Sequence, residues 1–165
     1  MNQRNEIITW DEVSRLIDHL LPQFNRVYTV MVMITRGGII PGGMLAEAMN
    51  VQSLFTASVD FPAEAHTTPT PPSKFLQFPD ASHLSDHNVL IVDDVWGSGR
   101  TITAVKNRVI SSGGRASTCV LHFNPYRNLF GNMRPDYYAA TTDAHIIYPW
   151  EMDRGFQSNF FSGIH

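Results

Sequence analysis

Thirteen consecutive residues, Val89-Leu90-Ile91-Val92-Asp93-Asp94-Val95-Trp96-Gly97-Ser98-Gly99-Arg100-Thr101, limit what this chain can fold into more than any other stretch. Val89 to Val92 is apolar without alternation, the pattern of a short strand covered by helices on both faces of a parallel sheet. Asp93 and Asp94 follow at the expected carboxyl end of that strand, where open α/β sheets bind their ligands. Two adjacent carboxylates are costly to bury unless a cation, hydroxyls or backbone donors meet them. Gly97 to Thr101 then supplies flexible backbone, hydroxyls and a cation just before a helix beginning near Thr101. Exposed N–H groups at such a start, with the positive end of the helix dipole, suit one phosphate. The turn lacks the spacer and lysine of a P-loop. Alone it would serve equally as a plain strand-to-helix connection; coupled to the acid pair it points to a ligand bearing both hydroxyls and a phosphate.

The remaining chain supports an α/β reading. Thr9 and Glu12 form a capping box, and Val13, Leu16, Ile17, Leu20 and Leu21 make one helical stripe that Pro22 ends. Val27 to Ile34 reads as a buried strand stopping at Thr35-Arg36-Gly37-Gly38. Pro41 then opens a helix carrying Met44, Leu45, Ala48 and Met49, and Leu54 to Val59 is a third strand. Residues 60–87 hold Pro62, Pro69, Pro71, Pro72 and Pro79 with little apolar pattern, and read as a long lid loop. Ile102, Val105 and Val109 define a helix face ending at Gly113-Gly114, with strands expected at Ala116 to Phe123 and Tyr137 to Ala140. The expectation is one domain over residues 1–165: a doubly wound, mainly parallel sheet flanked by helices, under a small hood made by the chain ends, including 143–165.

Composition narrows the function classes. Of 165 residues, 43% are hydrophobic and 16% charged, which describes a globule with a real core rather than a disordered chain. A net charge of −3 gives no support to non-specific nucleic-acid binding, which needs a basic face, and leaves room for localised basic loops that hold phosphates. No apolar run approaches a membrane span, and with a polar amino terminus no secretory leader is expected. Cys119 is the only cysteine, so no internal disulfide forms; a reducing cytoplasm is the expected compartment and a core position its expected place. His83 and His87 have metal-ligand spacing, but with neither a helix signal nor a third ligand they are not read as a metal site.

A second turn adds weight to the first. In Thr35-Arg36-Gly37-Gly38, backbone N–H groups freed by glycine stand beside a guanidinium able to fork onto phosphate oxygens, a plausible pyrophosphate cradle, although a lone Arg-Gly-Gly is more often a plain turn.

These segments resemble the type I phosphoribosyltransferases, most closely the bacterial xanthine–guanine enzymes, in three separated pieces spanning Val27 to Glu151. The resemblance implies that Asp93 and Asp94 hold the ribose hydroxyls of phosphoribosyl pyrophosphate (PRPP) and, partly through PRPP and water, a Mg²⁺ ion. The stretch Val95, Trp96, Gly97, Ser98, Gly99, Arg100 and Thr101 would cradle the 5′-phosphate, and Arg36, Gly37 and Gly38 the pyrophosphate. Arg36, Asp93 and Asp94 would be the catalytic set. A cis peptide would join Thr35 to Arg36. In the hood, His145 would stack on the base, Ile146 would read it through its backbone, and Glu151 would be the acidic residue several positions later. His145 reads equally as an ordinary histidine, and Trp150 as packing. A homodimer or homotetramer engaged in purine salvage is what the resemblance implies for assembly and role.

Two positions depart from that pattern. Gly97 stands where many purine enzymes carry an aspartate that handles a base proton. Asn124 stands where the 6-oxopurine enzymes carry a lysine; its amide donates but also accepts, so it does not by itself enforce an oxo group. The expected activity is transfer of 5-phosphoribosyl from PRPP to a 6-oxopurine such as xanthine, guanine or hypoxanthine, with release of pyrophosphate. A phosphoribosyltransferase for another base is one alternative, and a non-catalytic PRPP or nucleotide sensor is another. A response-regulator receiver also ends a strand in aspartates, but those lie near its chain start.

Overall fold

The computed structural model describes residues 3–62 and 72–152. Its elements in order are β1 (Asn5–Ile7), α1 (Trp10–Leu20), β2 (Val30–Ile34), α2 (Ile39–Met49), β3 (Ser53–Asp60), β4 (Lys74–Gln77), β5 (Asn88–Trp96), α3 (Arg100–Ser111), β6 (Arg115–Phe123), β7 (Tyr137–Thr141) and β8 (His145–Ile147), with short 3₁₀ turns at Leu21–Gln23, Ala81–His83 and Pro149–Glu151. Six strands form one sheet in the order β4-β3-β2-β5-β6-β7. Every pairing is parallel except β3 with β4.

Two apolar layers explain why the strands lack alternation. Met31, Leu90, Val92, Cys119 and Leu121 pack on one face with Val13, Ile17 and Leu20 of α1 and Leu45 of α2. Val30, Val32, Ile34, Val89, Ile91 and Val120 pack on the other with Ile102, Val105 and Val109 of α3. Each side of the sheet is covered, so successive residues of β2 and β5 are buried alike. Leu90 to Val92 expose none of their surface, and such side chains each contribute about 1.5–3 kcal/mol by leaving water.

The order also fixes where a ligand can sit. From β2 the chain moves outward through α2 to β3; from β5 it moves the opposite way through α3 to β6. The loops after these two neighbouring strands therefore diverge, opening a crevice at the sheet's carboxyl edge, as at the switch point of any doubly wound sheet. The capping box at the start of α1 is formed, with Thr9 accepting from the Glu12 N–H. The chain ends meet as β1 and β8, a separate two-stranded parallel sheet whose register pairs Glu6 with Ile146.

Two expectations are corrected. The acid-bearing strand does not stop at Val92. It runs to Trp96, because β6 continues to pair with it through Val95–His122 and Trp96–Phe123, whereas β2 leaves it after Met33–Val92. The 60–87 segment is not structureless throughout: Lys74–Gln77 pairs with the end of β3, and Asp80 caps the turn at Ala81–His83 by accepting from the Ser82 N–H. At four residues, β4 is too short to show a period, and its Phe75 lies against the Arg108 guanidinium at 4.7 Å. The middle of the expected lid, residues 63–71, lies outside the described residues, as does the hood segment from residue 153 onward.

Candidate active site

The loop after β2 and the end of β5 meet at the crevice. The Thr35–Arg36 peptide is cis. A Cβ on Gly37 would overlap the Asp94 carboxylate, and one on Gly38 would overlap the Val92 carbonyl, so only glycine brings this backbone so close to β5. The Gly38 N–H donates to the Ile34 carbonyl at 2.8 Å. The expectation that both glycine amides face a pyrophosphate is therefore corrected: Gly38 spends its donor closing the turn, while the Gly37 N–H has no hydrogen-bond partner among the described residues. Arg36, Gly37, Asp94, Trp150 and Glu151 line a cavity of about 500 Å³.

Asp93 and Asp94 occupy successive strand positions, so they point to opposite sides. Asp94 faces the cavity of Arg36 and Gly37, while Asp93 lines a second cavity of about 100 Å³ with Val95, Trp96 and all of Gly97 to Thr101. The sequence reading assigned both acids to one sugar; the strand divides them between two compartments. Gly99, at φ +84°, caps α3, and a Cβ there would press on the Trp96 indole. The turn is held by the Arg100 N–H donating to Ser98 Oγ at 3.4 Å and the Leu129 N–H donating to the Ser98 carbonyl at 3.0 Å.

A third cavity of about 100 Å³ brings together Asn124, His145, Ile146 and Glu151 with Asp94, Val95 and Gly97. It shares Asp94 and Glu151 with the first cavity, and Val95 and Gly97 with the second. Asn124 is 2% exposed, and its Oδ1 accepts from the N–H groups of Tyr126 at 3.1 Å and Arg127 at 3.3 Å. Those two donors fix which end of the amide is oxygen, and the Nδ2 end has no partner among the described residues. As a free residue Asn124 could donate or accept; in this loop only its donor is available to a ligand.

The electrostatics follow from burial. Both aspartates are held above the usual carboxylate range by desolvation, with the charge of Asp94 adding to the rise at Asp93 and Glu151 adding to that at Asp94. Each is partly met by backbone: Asp93 accepts from the Asp94 N–H at 2.9 Å, and Asp94 from the Val95 N–H at 2.7 Å.

Sequence reasoning missed three residues here. Trp150, assigned to packing, both packs and lines the largest cavity: it stacks on Tyr148 at 4.6 Å with planes 4° apart. Tyr148 and Arg127 line the third cavity. Position after Asn124-Pro125 was the one signal for Arg127; for Tyr148 there was none, since its role depends on reaching across to β5.

Residues 4–153 match the model of the phosphoribosyl transferase domain. Xanthine-guanine phosphoribosyltransferase of Cereibacter sphaeroides is 26% identical over 155 residues, covering 88% of this chain and 86% of that protein. Its namesake in Gluconobacter oxydans is 29% identical over 150 residues, covering 87% of this chain and 83% of that protein. The crystal structure of a purine phosphoribosyltransferase from Pyrococcus horikoshii superposes with a TM-score of 0.76 at 27% identity, covering 90% of this chain and 95% of that one.

Proposed function

The chain belongs to the phosphoribosyl transferase domain family, and from that premise we propose that it transfers 5-phosphoribosyl from PRPP to a 6-oxopurine, releasing pyrophosphate. The observation that carries the reading is the meeting of three compartments at the Asp93-Asp94 pair: Asp94 borders one with Arg36 and Gly37, Asp93 borders one formed by the helix-start turn, and a third shares walls with both. They suit, in turn, the pyrophosphate with the ribose edge, the 5′-phosphate, and the base. The relatives named xanthine-guanine phosphoribosyltransferase support the same acceptor class.

In the reaction the bond from the anomeric carbon to the pyrophosphate oxygen breaks with its electron pair leaving on pyrophosphate. A ring nitrogen of the base forms the new bond and releases its proton. Positive charge grows on the sugar as negative charge grows on the leaving group. The Arg36 guanidinium and the Gly37 N–H would stabilise the latter, while Asp94 fixes the sugar and the turn from Gly97 to Thr101 holds the 5′-phosphate, so that donor and base meet in attack geometry. His145 would stack on the base and Asn124 Nδ2 would donate to its oxo group.

Mg²⁺ fits the donor set: two half-buried carboxylates, raised by burial, are hard oxygen ligands that a cation would offset. Among the described residues no group of three or more acidic, histidine or cysteine side chains could hold a metal. Asp93 or Asp94 would thus share the ion with PRPP oxygens and water, the usual arrangement for Mg²⁺. When bound it would neutralise charge on the pyrophosphate.

The test is a panel of bases with PRPP and Mg²⁺, ranked by kcat/KM. Xanthine, guanine or hypoxanthine should lead; adenine leading would overturn the acceptor class. Two variants refine it. Asn124→Asp keeps an oxygen for the turn but faces the base with an acceptor, and should lower kcat/KM for oxopurines about tenfold, the effect of an unmet buried polar group; an unchanged value would remove Asn124 from base recognition. A Cβ added to Gly97 would meet nothing within 4 Å, so Gly97→Asp should fold normally and supply the acid missing beside the base. A rise of about tenfold in kcat is expected, at the low end of general acid–base effects; no rise would mean that proton handling lies elsewhere.

A further inference from the structure

A buried chain of hydrogen bonds runs behind the acid pair. Tyr148, 1% exposed, donates from Oη to the Asp94 carbonyl at 3.0 Å. Its Oη lies 2.8 Å from Nδ1 of His122, itself 5% exposed. The direction of the chain is forced. A carbonyl can only accept, so the single Tyr148 proton is committed to Asp94, and the remaining contact requires His122 to carry its proton on Nδ1. Burial draws the His122 pKa down to about 4, so the ring is neutral near pH 7 and this tautomer is the donor.

The Asp94–Val95 peptide is the lever. Its carbonyl end is held by Tyr148, and its N–H end, on Val95, donates to Asp94 Oδ1 at 2.7 Å. A planar peptide fixed at its oxygen also has its N–H direction fixed, so the Tyr148 hydroxyl sets where the Asp94 carboxylate points. The Tyr148 backbone N–H also donates to Glu151 Oε2 at 2.7 Å. One residue thus orients both acids that border the largest cavity.

We propose that Tyr148, backed by His122, is a positioning residue that aims the Asp94 carboxylate at the ribose of PRPP. The inference rests on the reading of the cavity as a PRPP site, and its test separates the two. Calorimetric titration of PRPP with Mg²⁺ into the full chain, at a temperature where every variant is folded, is the first readout. Tyr148→Phe keeps the ring and its stack on Trp150 but loses the hydroxyl, and should weaken PRPP affinity about tenfold. His122→Leu should do the same, whereas His122→Asn, whose amide nitrogen can occupy the place of Nδ1, should recover most of the loss. A purely structural role would lower the melting temperature of Tyr148→Phe and leave PRPP affinity at the wild-type value, which overturns the proposal. So would equal affinities for His122→Leu and His122→Asn. The second readout needs no ligand: ¹⁵N chemical shifts of His122 in the wild-type protein should show the Nδ1–H tautomer, and an Nε2–H tautomer overturns the relay. A wild-type chain that binds no PRPP but shows Nδ1–H would instead sink the PRPP reading, and the aiming role with it, while leaving the hydrogen-bond chain intact.

Discussion

Asp94→Asn should lower kcat/KM with PRPP by about a thousandfold, with PRPP affinity and turnover falling together, and should at the same time raise the melting temperature of the ligand-free protein at pH 7. The catalytic part follows from replacing a charged acceptor by a neutral amide. Hydrogen bonds to a charged group contribute about 1.5–3 kcal/mol each, so two ribose contacts give about a thousandfold. The stability part follows from burial, which raises the Asp94 carboxyl above the usual range, with Glu151 adding repulsion. A carboxyl whose folded-state pKa lies above its unfolded value binds its proton more tightly in the native state. Stability is then greatest at low pH and falls as pH rises from the ordinary carboxylate value, about 4, through the raised folded value. Asparagine is uncharged throughout, so the gain seen at pH 7 should shrink toward zero near pH 4. Thermal denaturation in chelator across that interval checks it; a gain independent of pH would contradict the electrostatic account, and unchanged PRPP affinity would remove Asp94 from the ribose.

Gly37→Ala should cost about a hundredfold or more in kcat/KM while leaving the fold largely in place. The three heavy atoms nearest the added methyl would all belong to the Asp94 carboxylate, the movable end of a side chain. The cheapest response is to rotate that carboxylate away, which breaks its 2.7 Å contact with the Val95 N–H and misplaces the group meant for the sugar. Displacement of about 1 Å costs about a hundredfold in reactions that depend on positioning. Gly38→Ala provides the contrast. Its methyl would meet the Val92 and Ile34 backbone, which cannot yield, so the variant should lose stability rather than activity per folded molecule. Circular dichroism melts beside steady-state kinetics distinguish the two; equal destabilisation of both would contradict the assignment of Gly37 to the site.

Much of this was legible in the chain because it is written locally. Unbroken apolar runs marked β2 and β5, a capping box marked α1, and glycines beside Arg36 and after Trp96 marked the two turns. The fold class and the family followed from those pieces in order. What escaped depends on partners distant in sequence. β1 and β8 are three residues each and exist through pairing across the whole chain, Asn5 with His145. The extension of β5 through both aspartates is imposed by β6, and with it their division between two compartments. The loss of the Gly38 donor to Ile34, and the donor-only character of Asn124, are hydrogen-bond facts that no residue type announces. Tyr148 belongs to the same group: a tyrosine before a proline reads as packing until its hydroxyl is seen on the Asp94 carbonyl.

The central claim is that one site breaks the bond between ribose and pyrophosphate and joins the ribose to a purine. Phosphorus-31 NMR of the protein with PRPP, Mg²⁺ and guanine or xanthine tests it most directly. The account predicts pyrophosphate and a purine 5′-monophosphate appearing one for one, at a rate about a thousandfold lower in Asp94→Asn. PRPP that binds but persists unchanged with every oxopurine would contradict it, and would leave a sensor in place of an enzyme.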